Sequence, residues 1–139
     1  MATTATILQA LKTRIEGITP SEMVTSDHVY KVFLGFPETQ MRERYYVLTG
    51  NAGVPDSDSV RCKDWLTSIL IAGHYPRGET GILRAINDSE QIAADIWNYA
   101  KNNSDGVYEI NQDQAQVIET DEYVAVERNL RVRYRGQEI

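Results

Sequence analysis

Near the end of the chain, Tyr123-Val-Ala-Val-Glu-Arg-Asn-Leu-Arg-Val-Arg-Tyr-Arg135 alternates between two kinds of side chain. Val124, Val126, Leu130, Val132 and Tyr134 share one parity; Tyr123, Ala125, Glu127, Asn129, Arg131, Arg133 and Arg135 share the other. Successive side chains of an extended strand point to opposite faces, so this run predicts a half-buried strand with one apolar face and one arginine-bearing face. At about 3.3 Å per residue it reaches roughly 40 Å, longer than most strands, and is expected to serve more than one neighbour. Arg128 falls on the apolar parity, which predicts a bulge or bend that turns its guanidinium out of the core. Such a stretch offers an assembly surface rather than an active site.

The rest of the chain supplies partners for that strand. Thr3 or Thr4 caps a predicted helix whose apolar positions Ile7, Leu8, Leu11 and Ile15 form one stripe, and Gly17 and Pro20 end it. His28 to Leu34 and Arg42 to Thr49 are rich in β-branched and aromatic residues and read as strands. Gly50 to Ser59, made of turn formers and small polar residues, is expected to be the longest loop. Arg61 to Ala72 has apolar residues on both parities, which fits a central strand and leaves a helix as the alternative. Gly73 to Gly81 reads as a second, flexible loop, and Ile82 to Asn87 fits either class. From a cap at Ser89 to about Lys101, Ile92, Ala93, Ile96, Tyr99 and Ala100 form the buried stripe of a helix, with Trp97 at its margin. Val107 to Ile110 and Gln114 to Ile118 read as short strands, the second polar enough for an edge. A turn at Glu119 to Glu122 then makes a hairpin with the terminal strand. This order predicts one α+β domain over residues 1–139, with two helices packed on one face of a mostly antiparallel sheet.

Composition narrows the function classes. At 139 residues the chain is long enough to bury a core without staples, and Cys62, its only cysteine, excludes an internal disulfide framework or a multi-cysteine zinc site. That usage fits a reducing compartment, or an assembly held without cross-links. The start lacks the basic and apolar blocks of a signal peptide, so synthesis and folding in the cytoplasm are expected. No window is apolar enough for a membrane span, so no membrane partner is expected. A formal net charge of −6 disfavours a dedicated nucleic-acid binder.

Reactive chemistry has little support. His28 and His74 sit in no metal-ligand spacing or nucleophile motif, and Asp56 and Asp58 lack the further oxygens of a calcium loop, so they read as a solvated turn. The glycines between Gly73 and Gly81 lack the lysine and hydroxyl of a P-loop and the spacing of a dinucleotide fingerprint. No catalytic residue, cofactor or metal is expected, and the protein reads as a non-enzyme.

The arginines carry more information. Arg128, Arg131, Arg133 and Arg135 crowd the terminal strand, and Arg42 and Arg44 flank the entry to another. A solvated strand face accounts for them by blunting edge-to-edge aggregation. As subunit-interface candidates, the same six are bidentate anchors for carboxylates on a neighbouring copy of this acidic chain.

The order of elements and the closing Glu127-Arg-Asn-Leu-Arg-Val-Arg-Tyr134 resemble the tail terminator and related neck (head-tail joining) proteins of tailed bacteriophages. That resemblance covers nearly the whole chain and implies a leading helix, an antiparallel sheet with a long mid-chain loop, a helix on that sheet and a final hairpin. It further implies a virion protein forming a six-membered homo-oligomeric ring that ends the tail tube. Its partners would be the tail tube protein and a head-closure or connector protein, with DNA crossing the lumen without sequence-specific binding. Another head-tail connector or minor tail component is the alternative, and a small-molecule-binding domain comes third.

Overall fold

The computed structural model describes residues 2–21, 29–37, 43–56, 64–102 and 104–137. Helix α1 is Thr4–Glu16 and strand β1 is Val32–Leu34; β2 is Tyr45–Gly50, β3 is Val54–Pro55 and β4 is Asp64–Pro76. Helix α2 is Glu79–Lys101, and after a 3-10 turn at Ser104–Gly106 come β5 Val107–Gln112, β6 Gln116–Glu119 and β7 Tyr123–Arg135. The α+β class is as expected: two helices and a seven-stranded, mostly antiparallel sheet in the order β1-β2-β4-β7-β5, with β3 on β4 and β6 on β7.

Two long strands form the axis. β4 and β7 pair without interruption from Asp64↔Arg135 to Pro76↔Tyr123. The outer edge of β7 carries β6 along its first half and β5 along its second, while the outer edge of β4 carries β2 and β3. β1 joins β2 in parallel, the one parallel pair among the described strands. The period-two reading of Tyr123–Arg135 therefore holds, including service to two neighbours on one edge.

One face of this sheet is covered. Val124, Val126, Leu130, Val132 and Tyr134 of β7 lie beside Ile69, Ile71 and Tyr75 of β4 and Tyr46 and Leu48 of β2, in one cluster with Ile7, Leu11 and Ile15 of α1 and Ala85, Ile92 and Ile96 of α2. Removing that much apolar surface from water is the main favourable term for the fold. α1 starts at a capping box, in which the Thr3 hydroxyl accepts from the Thr6 amide and the Thr6 hydroxyl accepts from the Thr3 amide. Arg14 then joins the helices through a two-pronged bond to Asp95, at 2.9 and 3.0 Å.

Three sequence expectations need correcting. Gly73 to Gly81 is no flexible loop: β4 runs on to Pro76 and α2 starts at Glu79, leaving only Arg77 and Gly78 between them. Gly73 belongs in the strand because the Tyr46 ring lies against it, within 2.6 Å of where a Cβ would stand. The reversal falls on Gly78, at φ 125°, a conformation few residues other than glycine adopt. α2 consequently begins ten residues before the expected cap, and Ser89 is a buried residue inside it. From Gly50 to Asp56 the chain is likewise held: Val54 and Pro55 pair with β4, the Asn51 amide donates to the Ser68 carbonyl and the Asp56 amide to the Asp64 carbonyl, while Ser57 to Ser59 lie outside the described residues. The residues expected at the starts of the strands at His28, Arg42 and Arg61 lie outside the described residues.

The third correction concerns Arg128. β7 does not bulge there; the interruption falls in the facing chain, between Gln112↔Leu130 and Gln116↔Glu127. Arg128 keeps its place on the core side and reaches through that break, donating to the Asp113 carbonyl at 3.2 Å and to the Ser89 hydroxyl at 3.1 Å.

Candidate functional site

The second face of the sheet is where the side chains of interest collect. It bears Tyr45 and Val47 of β2, the even-numbered residues of β4 from Leu66 to His74, and the odd-numbered residues of β7. No helix among the described residues packs on it, and its two ends differ.

One end is closed by aromatic rings. His74 stacks on Tyr45 with ring centroids 4.8 Å apart and planes 6° from parallel, and Phe36 and Tyr123 lie 5.9 and 5.1 Å from its ring. Val47, Ala72 and Ala125 beside them are buried. The His74 Nδ1 has no hydrogen-bond partner among the described residues, and burial lowers the imidazole pKa, opposed by the carboxylate of Glu127. His74 is thus a packed ring.

The opposite end is open. A groove of about 430 Å³ is lined by Asn51, Val54, Leu66, Ser68, Asn111 and Arg131, with Arg133 at its side. A shallower depression of about 270 Å³ continues it past Thr49, Leu70 and Asn129. Its walls come from the segment leading into β3 and from β5, its floor from β3, β4 and β7. Amide, hydroxyl and guanidinium groups around a Leu66 and Val54 floor can hold an extended peptide segment or a carboxylate; they include no nucleophile beside a base.

The six arginines expected at an interface separate into different environments. Arg131 has a side chain 68 % exposed and, among the described residues, pairs only with the rim carboxylate of Asp113, at 3.3 Å. Arg133 is half-buried between Asp56 at 2.8 Å and Glu109 at 3.4 Å. Arg135 is exposed, with no ion pair among the described residues, and Arg128 is tied inward as described. Arg42 lies outside the described residues. Arg44 corrects the expectation outright: it is 2 % exposed, its Nη1 donates to Asp88 Oδ2 at 3.0 Å, and no neighbouring subunit can reach it. Asp56 is corrected too, since it is a buried partner of Arg133 rather than part of a solvated turn.

Sequence reasoning missed the polar network around Arg44. Its guanidinium lies 5.1 Å from the centre of the Tyr30 ring, Tyr75 donates to the same Asp88 oxygen at 2.8 Å, and the Tyr46 and Tyr75 hydroxyls are bonded to each other. Tyr30 donates to Gln91 Oε1 at 2.7 Å, and Gln91 in turn donates to the Thr19 carbonyl. Burial drives the Tyr30, Tyr46 and Tyr75 hydroxyls well above the ordinary tyrosine range, so at neutral pH they stay protonated; Tyr75 gives its one proton to Asp88 and therefore accepts from Tyr46. These bonds fasten α2 to β2 and β4 from within. The hint available in sequence was Asp88 itself, a carboxylate on the same helical stripe as Ala85 and Ile92.

Among the described residues no group of three or more His, Cys, Asp and Glu side chains is placed to hold a metal ion, and no helix is long and apolar enough to cross a membrane. No protein-family model matches the chain, and comparison with curated proteins finds no match.

Proposed function

We propose that the protein is a structural subunit of the neck of a tailed bacteriophage, a tail terminator that closes into a six-membered ring on the head-proximal end of the tail tube. In this reading the ring stops tube growth and offers its other surface to the head-closure or connector protein. DNA crosses the lumen without sequence-specific contacts, and the acidic balance of the chain repels phosphate there. The subunit works in the virion after assembly in the host cytoplasm, and its role is mechanical rather than catalytic.

One observation carries the proposal: the helices cover a single face of the sheet, which leaves the Arg131 end of the other face and the outer edge of β6 exposed as two separate patches at different ends of β7. A subunit that closes a ring head to tail needs two unlike surfaces of this kind. The order of α1, sheet, α2 and final hairpin is what the resemblance to terminators implies, and the continuous β4–β7 ladder gives a ring a stiff wall.

Native mass spectrometry of the purified protein across a concentration series, with electron micrographs of the same samples, tests it. A closed six-subunit species visible as a ring is expected. Phage lacking the protein should make overlong or unjoined tails. Normal-length tails that fail to join heads would move the protein to another connector layer. Monomers at every concentration, combined with tails of normal length and normal joining, would end the neck reading.

A further inference from the structure

β6 is an unusual edge. All four of its residues are exposed, its outer side has no strand partner among the described residues, and Val117 and Ile118 each stand 39 % exposed at its centre. Exposed edges with apolar side chains invite pairing, and proteins that stay soluble normally place charge or proline there. The turn that follows is acidic: Asp121 and Glu122 are exposed and have no ion pair among the described residues, while Glu119 meets Arg77 only at 3.7 Å.

The open-face groove has the converse character. Leu66 and Val54, the latter 57 % exposed, form an apolar floor, and Asn51, Ser68 and Asn111 surround it with hydrogen-bonding groups. Arg131 stands at its rim, where its contact with Asp113 is long and solvated enough for a better placed carboxylate to displace. Pro55 on the adjoining β3 has no amide proton, so a visitor here docks by side chains rather than by lengthening the ladder.

We infer that the β6 edge and the acidic turn after it, in one copy of this chain, seat in the Arg131 groove of the next copy. Apolar and charged groups match in kind on the two surfaces. β6 pairs with β7 over Val124 to Glu127 whereas the groove lies at Arg131 to Arg133, so the two surfaces are separate patches toward opposite ends of β7. The contact is therefore between unlike patches and repeats from copy to copy, as ring closure requires, whereas β6 pairing with itself would stop at a dimer. The inference rests on the ring proposal and specifies which surfaces meet.

Disulfide trapping in a Cys62→Ser background, which removes the chain's only cysteine, separates the two ideas. Mixed Val54→Cys and Ile118→Cys chains should form a linked dimer that neither forms alone, and a chain bearing both substitutions should give a ladder ending at six. Arg131→Glu should lower the yield about tenfold, and Asp121→Lys with Glu122→Lys in the partner should restore it. Rings by mass spectrometry without the mixed link would overturn this contact and leave the ring proposal standing. A mixed link stopping at two, with no larger species, would keep the contact and remove the ring. Ile118→Cys chains linking to themselves, or neither oligomer nor link, would overturn the contact.

Discussion

At the scale of single residues, similar side chains differ by what the fold places beside them. Arg131 and Arg133 share a strand and a face, yet only Arg133 reaches a buried carboxylate, that of Asp56, which is 7 % exposed. Arg131→Glu should change stability by no more than about 0.5 kcal/mol, as expected for an exposed site. Arg133→Glu should cost about 1–3 kcal/mol, because it sets a third carboxylate beside Asp56 and Glu109. Urea unfolding of the two variants measures the difference, and equal losses would mean that the Asp56 contact contributes nothing. His74 gives a pH signature. Burial holds its folded pKa below the ordinary 6.5, so the unfolded chain takes up the proton first, and the stability tied to the neutral ring is complete above about pH 6.5 and declines as pH falls. Glu127 opposes the shift and limits its size; Tyr45, whose own pKa burial raises, stays neutral throughout this range. Thermal unfolding of the wild type and His74→Phe from pH 8 to pH 5 should show a steeper decline in the wild type. Parallel curves would contradict the assignment.

At the scale of elements, legibility followed periodicity. β7 was readable to its ends because its alternation is unbroken apart from Arg128, and α1 because Thr3, the Ile7–Leu11–Ile15 stripe and Gly17 give concordant local signals. β4 and α2 were cut short because Gly73, Pro76, Gly78 and Gly81 look like a loop when their neighbours are unknown. Their setting is tertiary: the Tyr46 ring lies on Gly73, and Gly81, in the first turn of α2, packs on the Pro76 carbonyl with 2.0 Å between that oxygen and the position of a Cβ. The groove was invisible for the same reason, since Leu66 and Ser68 join Arg131 only through the β4–β7 register and Asn111 only through β5. Gly81 yields a prediction whose sign is the test. Glycine to alanine inside a helix ordinarily stabilises by about 0.5–1 kcal/mol. Here the methyl meets backbone that cannot move without shifting the β4–α2 connection, so Gly81→Ala should destabilise by about 1–3 kcal/mol. A rise in melting temperature would show that the connection yields.

At the scale of the whole molecule, everything depends on strands distant in sequence. β4 finds β7 only after α2, β5 and β6 have been made, and β7 then supplies Val124, Val126, Leu130, Val132 and Tyr134 to the common cluster. No earlier part of the chain can close that cluster: without β7, β5 and β6 lose their sheet partner and α2 loses part of its floor. Non-local pairing of this kind folds slowly, because loop-closure entropy is lost before the contacts that offset it form. Two outcomes follow. A chain ending at Glu122 should lack near-ultraviolet dichroism and slow amide exchange. The full chain should unfold in a single transition that is the same for far-ultraviolet dichroism and for the fluorescence of Trp65 on β4 and Trp97 on α2, each read in a variant lacking the other tryptophan. Separate midpoints for the two tryptophans would divide the chain into independent units. Coincident ones would mean that the groove, the β6 edge and the acidic turn exist only together, so that a subunit competent to join a ring is by necessity a completely folded one.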